Sequence, residues 1–269
     1  MSSRCAVMGN PIAHSLSPFI HQCFAEQTGK QLSYEKRLVA EDAFESQVTV
    51  FFAQGGLGLN ITLPFKQRAF AMADLSTPRC QQAKAANTLW MEKERLHADN
   101  TDGAGLIKDL SRYLDLNAKK ILLIGAGGAA RGIIAPLLAA NIAQLTVTNR
   151  TEEKAMSLQT DFPEISYCRL AELLAEYDVL INATSASLTG EELPLSASLF
   201  QAATCCYDLA YSAKGETAFV AWARAQGCRQ AVDGLGMLVE QAAESFFIWH
   251  GIRPDTRPVL MALKAKQKT

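Results

Sequence analysis

The sequence carries almost no net charge. It has 26 Lys and Arg against 27 Asp and Glu, so no long-range field exists to hold a polyanion or an anionic membrane surface. Nucleic acid is not expected as a main partner. Long apolar runs are also missing: the two longest, 121–130 and 132–140, are separated by Arg131 and fall far short of the roughly 20 residues that span a bilayer. There is no C-x-x-C spacing. The seven cysteines, at 5, 23, 80, 168, 205, 206 and 228, are odd in number and sit mostly in apolar segments, which reads as buried free thiols rather than a disulfide framework. No metal is expected. The start, Met1-Ser2-Ser3-Arg4, runs into Cys5-Ala6-Val7-Met8 with no signal-peptide core, so the expected location is the cytoplasm. Repeats and low-complexity tracts are absent.

What is present is ordinary globular composition, 49% hydrophobic and 20% charged over 269 residues, enough for one or two domains. Apolar runs alternate with helical patterns, which predicts an α/β protein with largely parallel sheets. The first third reads as strands at 4–8, 33–39, 57–61, 87–91 and 95–98, with helices at 18–28, 42–53 and 66–73. A helix at 104–114 then leads into Ile121-Leu122-Leu123-Ile124, a short apolar run that suits a strand buried on both faces and opens a second βαβ system. Its later strands fall at 145–148, 178–182 and 204–208, its helices near 152–159, 169–175 and 216–226, and two closing helices near 237–250 and 256–267. Pro136 lies inside the helix after the glycine loop, where a kink is expected.

Gly125-Ala126-Gly127-Gly128-Ala129 follows a buried strand and opens a helix, the context that the G-x-G-x-x-A dinucleotide fingerprint requires. Its glycines let backbone amides at the helix N-terminus approach a pyrophosphate. The next strand ends in Asn149-Arg150-Thr151. An acidic residue here would accept from a ribose 2′-hydroxyl, whereas Arg150 suits a 2′-phosphate and favours NADP. Lys154, one turn on, reads equally well as a second cation for that phosphate or as a solvated helix residue.

Three polar motifs in the first 103 residues lie at or beyond predicted strand ends, where open α/β sheets place ligands. They are His14-Ser15-Leu16-Ser17-Pro18, Asn60-Ile61-Thr62-Leu63-Pro64-Phe65-Lys66, and Asn87-Thr88 with Asn100-Thr101-Asp102-Gly103. Singly each has a bland reading, Ser17-Pro18 for instance as a helix N-cap followed by Pro. Together the hydroxyls, amides, one cation and one carboxylate suit a small polyhydroxylated acid.

These motifs, with Gly9 to Pro18, Asn182-Ala183-Thr184-Ser185 and Asp233-Gly234-Leu235-Gly236-Met237-Leu238, make the chain resemble the shikimate dehydrogenases over essentially its whole length. The resemblance implies an NADP(H)-dependent oxidoreductase of the shikimate pathway, without a metal, that reduces 3-dehydroshikimate to shikimate in chorismate and aromatic amino-acid biosynthesis. It implies an N-terminal α/β substrate domain (1–101 with the closing helices, 237–269) and a Rossmann-type doubly wound NADP-binding domain (102–236), in a monomer or homodimer. It further implies that Ser15 and Ser17 bind the substrate carboxylate, that Asn60, Thr62, Asn87 and Gln241 reach the ring hydroxyls or position the substrate, and that Tyr211 lines the site. Lys66 and Asp102 match the family's proton-transfer pair; Thr184, Ser185, Gly234 and Met237 join the glycine loop and Asn149 to Thr151 at the cofactor. Two departures stand out: Lys84 where the family usually has glycine before Asn87, and Ser187-Leu188 where Gly-Met is commoner. Rival readings are a quinate/shikimate dehydrogenase, a non-catalytic sensor of pathway metabolites, and a glutamyl-tRNA reductase-like protein. The last lacks its expected nucleophilic cysteine and leaves Ser15, Ser17 and Lys66 without a role.

Overall fold

The computed structural model describes residues 2–189, 191, 193–213 and 215–267; the ends of the expected domains at residues 1, 268 and 269 lie outside them. In chain order the elements are β1 (Ser3–Gly9), α1 (Ser17–Thr28), β2 (Leu32–Leu38), α2 (Phe44–Ala53), β3 (Gly58–Ile61), α3 (Lys66–Met72), β4 (Leu75–Ser76), α4 (Pro78–Ala83), β5 (Thr88–Glu92), β6 (Arg95–Asp99) and α5 (Asp102–Leu110). They continue with β7 (Lys120–Ile124), α6 (Gly128–Ala139), β8 (Gln144–Thr148), α7 (Glu152–Asp161), β9 (Ser166–Tyr167), β10 (Val179–Asn182), α8 (Ala186–Thr189), α9 (Ala197–Ala202), β11 (Cys205–Asp208), α10 (Ala218–Ala225), β12 (Ala231–Val232), α11 (Leu235–His250) and α12 (Thr256–Gln267). The chain divides into two compact units, Met1–Gly105 with Leu238–Lys264, and Leu106–Met237 with the last residues.

The first unit holds a six-stranded sheet in the order β2-β1-β3-β5-β6-β4. β1 runs parallel to β2 and β3, β3 antiparallel to β5, and β5 antiparallel to β6. The sheet is therefore mixed, because β5 and β6 form a hairpin. Its two-residue turn, Lys93-Glu94, has φ of 49° and 62°, the double left-handed geometry that matches strand twist but that Asn and Gly usually supply. The pairing has a useful result. The C-terminal ends of β1, β3 and β6 and the N-terminal end of β5 all fall on one edge of the sheet, and the polar motifs fall there with them.

The second unit is a wholly parallel sheet ordered β12-β11-β10-β7-β8-β9. Its central strands β7 and β10 read as nearly continuous apolar runs because their alternate residues enter hydrophobic clusters on both faces. Strand order reverses between β7 and β10, the switch point at which such sheets bind ligands. Helix α6 continues through Pro136. The helix expected at 169–175 is reduced to a single 3-10 turn at Leu170–Glu172, since Leu173 turns extended and packs against the core of this unit. Packing here outweighs helix propensity. Asn182, Ser187, Thr217 and the Ala210 amide surround the Asp208 carboxylate, whose pKa burial raises while those donors lower it. All seven cysteines are free, five of them buried.

Candidate functional site

In the first unit the shared strand edge gathers a connected set of polar side chains. Lys66 is the first residue of α3, and its carbonyl accepts from the Ala86 amide at 2.8 Å, which ties the lysine motif to the approach to Asn87. Asp102 opens α5 directly after β6. Lys66 Nζ donates to Asp102 Oδ2 at 2.5 Å, with only 13% and 7% of the two side chains exposed. Asn87 Nδ2 donates to Asp102 Oδ1 at 2.8 Å, to Thr101 Oγ1 at 2.8 Å and to Gln241 Oε1 at 3.1 Å. A buried ion pair needs such additional hydrogen bonds to offset the loss of water around both charges.

Asn60 lies on β3 with both ends of its amide engaged. Tyr34 donates to its Oδ1 at 2.7 Å, and its Nδ2 donates to the Asn87 carbonyl at 3.1 Å and Ser245 Oγ at 3.0 Å. Ser15 and Ser17 are buried, and the Ser15 hydroxyl donates to Ser17 Oγ at 3.2 Å. The N-cap reading of Ser17 does not hold: α1 begins at Ser17, and the capping position is Leu16, with no side-chain cap. The Ser17 hydroxyl is therefore not spent on the helix end. Thr62 is half-buried just beyond β3, and Gln241 projects from α11. Four hydrogen-bonding partners were not among the expected binding residues: Thr101, Thr88, Ser245 and Tyr34. Ser245 could have been found, since it lies four residues after Gln241 and shares its helix face.

The sequence departure at Lys84 has a visible cost. Lys84 ends α4 with φ of 48°, a left-handed conformation that glycine adopts freely and other residues at about 1–2 kcal/mol.

In the second unit Gly125 has φ of 115°, and an added Cβ would stand 2.9 Å from the Ala183 backbone. Gly127, the N-cap of α6, has open space where a Cβ would be and no side-chain cap. The first amides of α6, in Gly128, Ala129 and Ala130, have no intrahelical acceptor. An exposed helix N-terminus with room before it fits a pyrophosphate. Asn149, Arg150 and Thr151 follow β8. The Arg150 side chain is 88% exposed and stands 3.8 Å from Glu191, a surface pair weak enough to yield to a 2′-phosphate. Lys154 is exposed on the first turns of α7, and Thr184 and Ser185 follow β10 at the switch point. Gly234 packs so closely that a Cβ would meet the Leu209 carbonyl at 2.4 Å, and Met237 is buried in the core of this unit. Tyr211 lies half-buried after β11. Among the described residues no group of three or more His, Cys, Asp or Glu could hold a metal ion, and no helix is long and apolar enough to cross a membrane.

A doubly wound sheet with this glycine loop, together with a unit that gathers hydroxyls, amides and a lysine–carboxylate pair, defines a dinucleotide-dependent oxidoreductase of two α/β units. Comparison with known proteins narrows the class. Residues 7–89 match the shikimate dehydrogenase substrate binding domain, 108–191 the shikimate / quinate 5-dehydrogenase family and 234–264 the shikimate 5′-dehydrogenase C-terminal domain. The shikimate dehydrogenase (NADP(+)) of Legionella pneumophila strain Lens is 58% identical over 98% of this chain and 100% of its own. An Ael1 enzyme from Pseudomonas putida has a solved structure with a TM-score of 0.90 at 45% identity, covering 97% of this chain and 98% of its own. Shikimate 5-dehydrogenase from Thermus thermophilus, solved with NADP(H) and shikimate, gives a TM-score of 0.88 at 32% identity over 98% of this chain and 99% of its own. The chain belongs to the shikimate dehydrogenase family.

Proposed function

We propose that this chain catalyses the reversible NADP-dependent reduction of 3-dehydroshikimate to shikimate, and that Lys66 and Asp102 handle the proton. The observation that carries the reading is the 2.5 Å contact between Lys66 Nζ and Asp102 Oδ2, nearly shielded from solvent and braced by Asn87. When bound, the nicotinamide supplies hydride to the ketone carbon. Lys66 supplies the proton: its ammonium donates to the carbonyl oxygen during reduction and recovers a proton from the alcohol in the reverse direction. Asp102 holds the ammonium in place through a charge-assisted hydrogen bond.

Ser15 and Ser17 take the substrate carboxylate, which accepts the two hydroxyl protons. Asn87, Gln241 and Thr62 take the ring hydroxyls, Asn60 positions them and Tyr211 lines the site. The amides of residues 125–129 hold the pyrophosphate; Arg150, with Asn149, Thr151 and Lys154, holds the 2′-phosphate, and Thr184, Ser185, Gly234 and Met237 border the rest of the cofactor. Residues 1–105 with 238–264 supply the substrate site, and 106–237 the cofactor site. Seven free thiols support a reducing compartment, the cytoplasm.

Initial rates over shikimate or quinate with NADP⁺ or NAD⁺ test this reading. Activity confined mainly to shikimate with NADP⁺ is expected, and a chain inactive in all four pairings overturns it. Lys66→Ala should lower turnover about 100-fold or more with NADP⁺ affinity intact; unchanged turnover removes Lys66 from the mechanism.

A further inference from the structure

We propose that Tyr34 and Thr88, which touch neither substrate nor cofactor in the reading above, are positioning residues that orient the Asn87 amide toward Asp102. The inference rests on that reading. It follows from the direction of each hydrogen bond, since several groups in the network can act in only one sense.

At one end, the Thr101 backbone N–H can only donate, and it meets Asn87 Oδ1 at 2.8 Å. The Asn87 Nδ2 is thereby turned toward the Asp102 carboxylate, which accepts. At the other end, the Asn87 main-chain carbonyl can only accept, and Asn60 Nδ2 meets it at 3.1 Å. Asn60 Oδ1 must then face away, toward the Tyr34 hydroxyl at 2.7 Å, which donates.

Between these ends the Thr88 hydroxyl is fixed by its neighbour. Thr88 Oγ1 lies 2.9 Å from Asn87 Oδ1, which has only lone pairs to offer, so Thr88 donates there. Its single proton is then spent. Thr88 accepts from Asn60 Nδ2 at 3.4 Å and lies 2.7 Å from Ser245 Oγ, which accepts from Asn60 Nδ2 at 3.0 Å and has the Gln241 carbonyl as a second neighbour at 3.2 Å.

The donors from the Tyr34 phenol through Asn60 and Thr88 to the Asn87 amide thus point one way, and the last of them delivers an N–H to the proton-transfer carboxylate. Asn60, Asn87, Thr88 and Ser245 are each at most 6% exposed, so bulk water cannot replace a missing member. Tyr34 itself is held by stacking on His21, with ring centroids 4.2 Å apart and an interplanar angle of 12°. Removing its hydroxyl leaves the buried Asn60 Oδ1 without its donor, which weakens the hold of the Asn60 amide on the Asn87 carbonyl and on Thr88 Oγ1.

The test is a double-mutant cycle on the full chain with Tyr34→Phe and Thr88→Val, which delete one hydroxyl each and keep the side-chain shape. We expect kcat/KM for shikimate to fall about fivefold or more in each single variant, with KM for NADP⁺ within twofold of wild type. The double variant should be no more than about twofold worse than the weaker single, because both act on one chain of bonds. Tyr34→Phe within twofold of wild type overturns the proposal, and so does a double effect equal to the product of the singles. A general loosening of the fold would raise both Michaelis constants together. If Thr88→Val does not fold, Ser245→Ala takes its place in the cycle. A wild-type chain inactive on shikimate defeats the functional reading instead, whereas an active one with unchanged variants defeats only this inference.

Discussion

Replacing Arg79 by Met should unbalance the turn that presents Asp102. Asp99 ends β6 with its side chain 3% exposed. Its Oδ2 accepts from Arg79 Nη2 at 2.5 Å, and its Oδ1 accepts from Arg79 Nε at 2.8 Å, Thr77 Oγ1 at 2.5 Å and the Asn100 amide at 2.7 Å. Asn100 continues the turn by donating to the Ala85 carbonyl at 2.8 Å and accepting from the Asp102 amide at 3.1 Å. Hydrogen bonding to Asp99 raises the Arg79 pKa above its usual value, as a tight bidentate pair requires.

Deleting one member of a buried pair typically costs about 3–5 kcal/mol, because the other charge is stranded. Arg79 is 34% exposed and the Thr77 and Asn100 donors remain, so the low end applies, about 3 kcal/mol. At roughly 2–4 °C per kcal/mol for a chain of this size, the melting temperature should fall by about 6–12 °C. Arg79→Met combined with Asp99→Asn should recover at least half of that loss, since a carboxamide keeps the acceptor for Thr77 and Asn100 without the charge. Thermal unfolding followed by circular dichroism reads both, and kcat for shikimate should fall in the single variant as Asp102 loses its fixed approach. A melting shift under 2 °C, or a double variant no more stable than Arg79→Met alone, would refute the reasoning.

Four other substitutions separate the remaining roles. Gly127→Ala meets open space and should leave the melting temperature within about 2 °C while raising KM for NADP⁺ about tenfold or more; Gly125→Ala, at φ of 115° against the Ala183 backbone, should cost about 2 kcal/mol or more. Equal melting temperatures for the two variants would contradict this. Arg150→Gln should raise KM for NADP⁺ about 10–100-fold, the worth of one charge-assisted bond, and leave the NAD⁺ constants within threefold; a parallel loss with both cofactors would remove Arg150 from the 2′-phosphate. Burial pushes the His21 imidazole down from 6.5 to about 3, so the folded chain keeps it neutral while the unfolded chain protonates it. Its stabilisation is complete above pH 6.5 and is lost as pH falls toward 3, about 2 kcal/mol by pH 5. The drop in melting temperature between pH 7 and pH 5 should shrink by about 4–8 °C in His21→Phe, and identical drops in both proteins would exclude His21 as the source.

The elements that carry the chemistry were legible where local patterns coincide. The Ile121–Ile124 run, the glycines after it and the apolar helix beyond agree at three levels, and the same strand-end logic brought Asn60, Asn87 and Asp102 to one sheet edge. The reversal that makes the first sheet mixed was not legible, because Lys93-Glu94 takes the left-handed turn without the Asn or Gly that marks it. Nor were the supports behind the site. Tyr34 and Asn60 are 26 residues apart and Arg79 and Asp99 are 20 apart, and a single contact at such a separation leaves no periodic trace. The bland reading of Ser17 as a cap fails for the opposite reason: Ser-Pro is a strong local signal for a cap, but the helix starts one residue early and leaves the hydroxyl beside Ser15.

The two departures from the family pattern show how far a residue's meaning depends on what surrounds it. Lys84 stands at φ of 48°, so the glycine usual there answers a backbone requirement, and the lysine meets that requirement at a cost to stability. Ser187 has the opposite sign. Asp208 is fully buried, and burial pushes its carboxyl up from the usual range. The Ser187 hydroxyl donates to Asp208 Oδ2 at 2.5 Å, while Asn182 Nδ2 and the Ala210 amide serve Oδ1 at 3.0 and 3.1 Å. A glycine at 187 would remove a donor from Oδ2 and leave more of the burial penalty uncompensated. The serine therefore steadies the end of β11, a role that neither its exposure nor its neighbours in sequence would disclose.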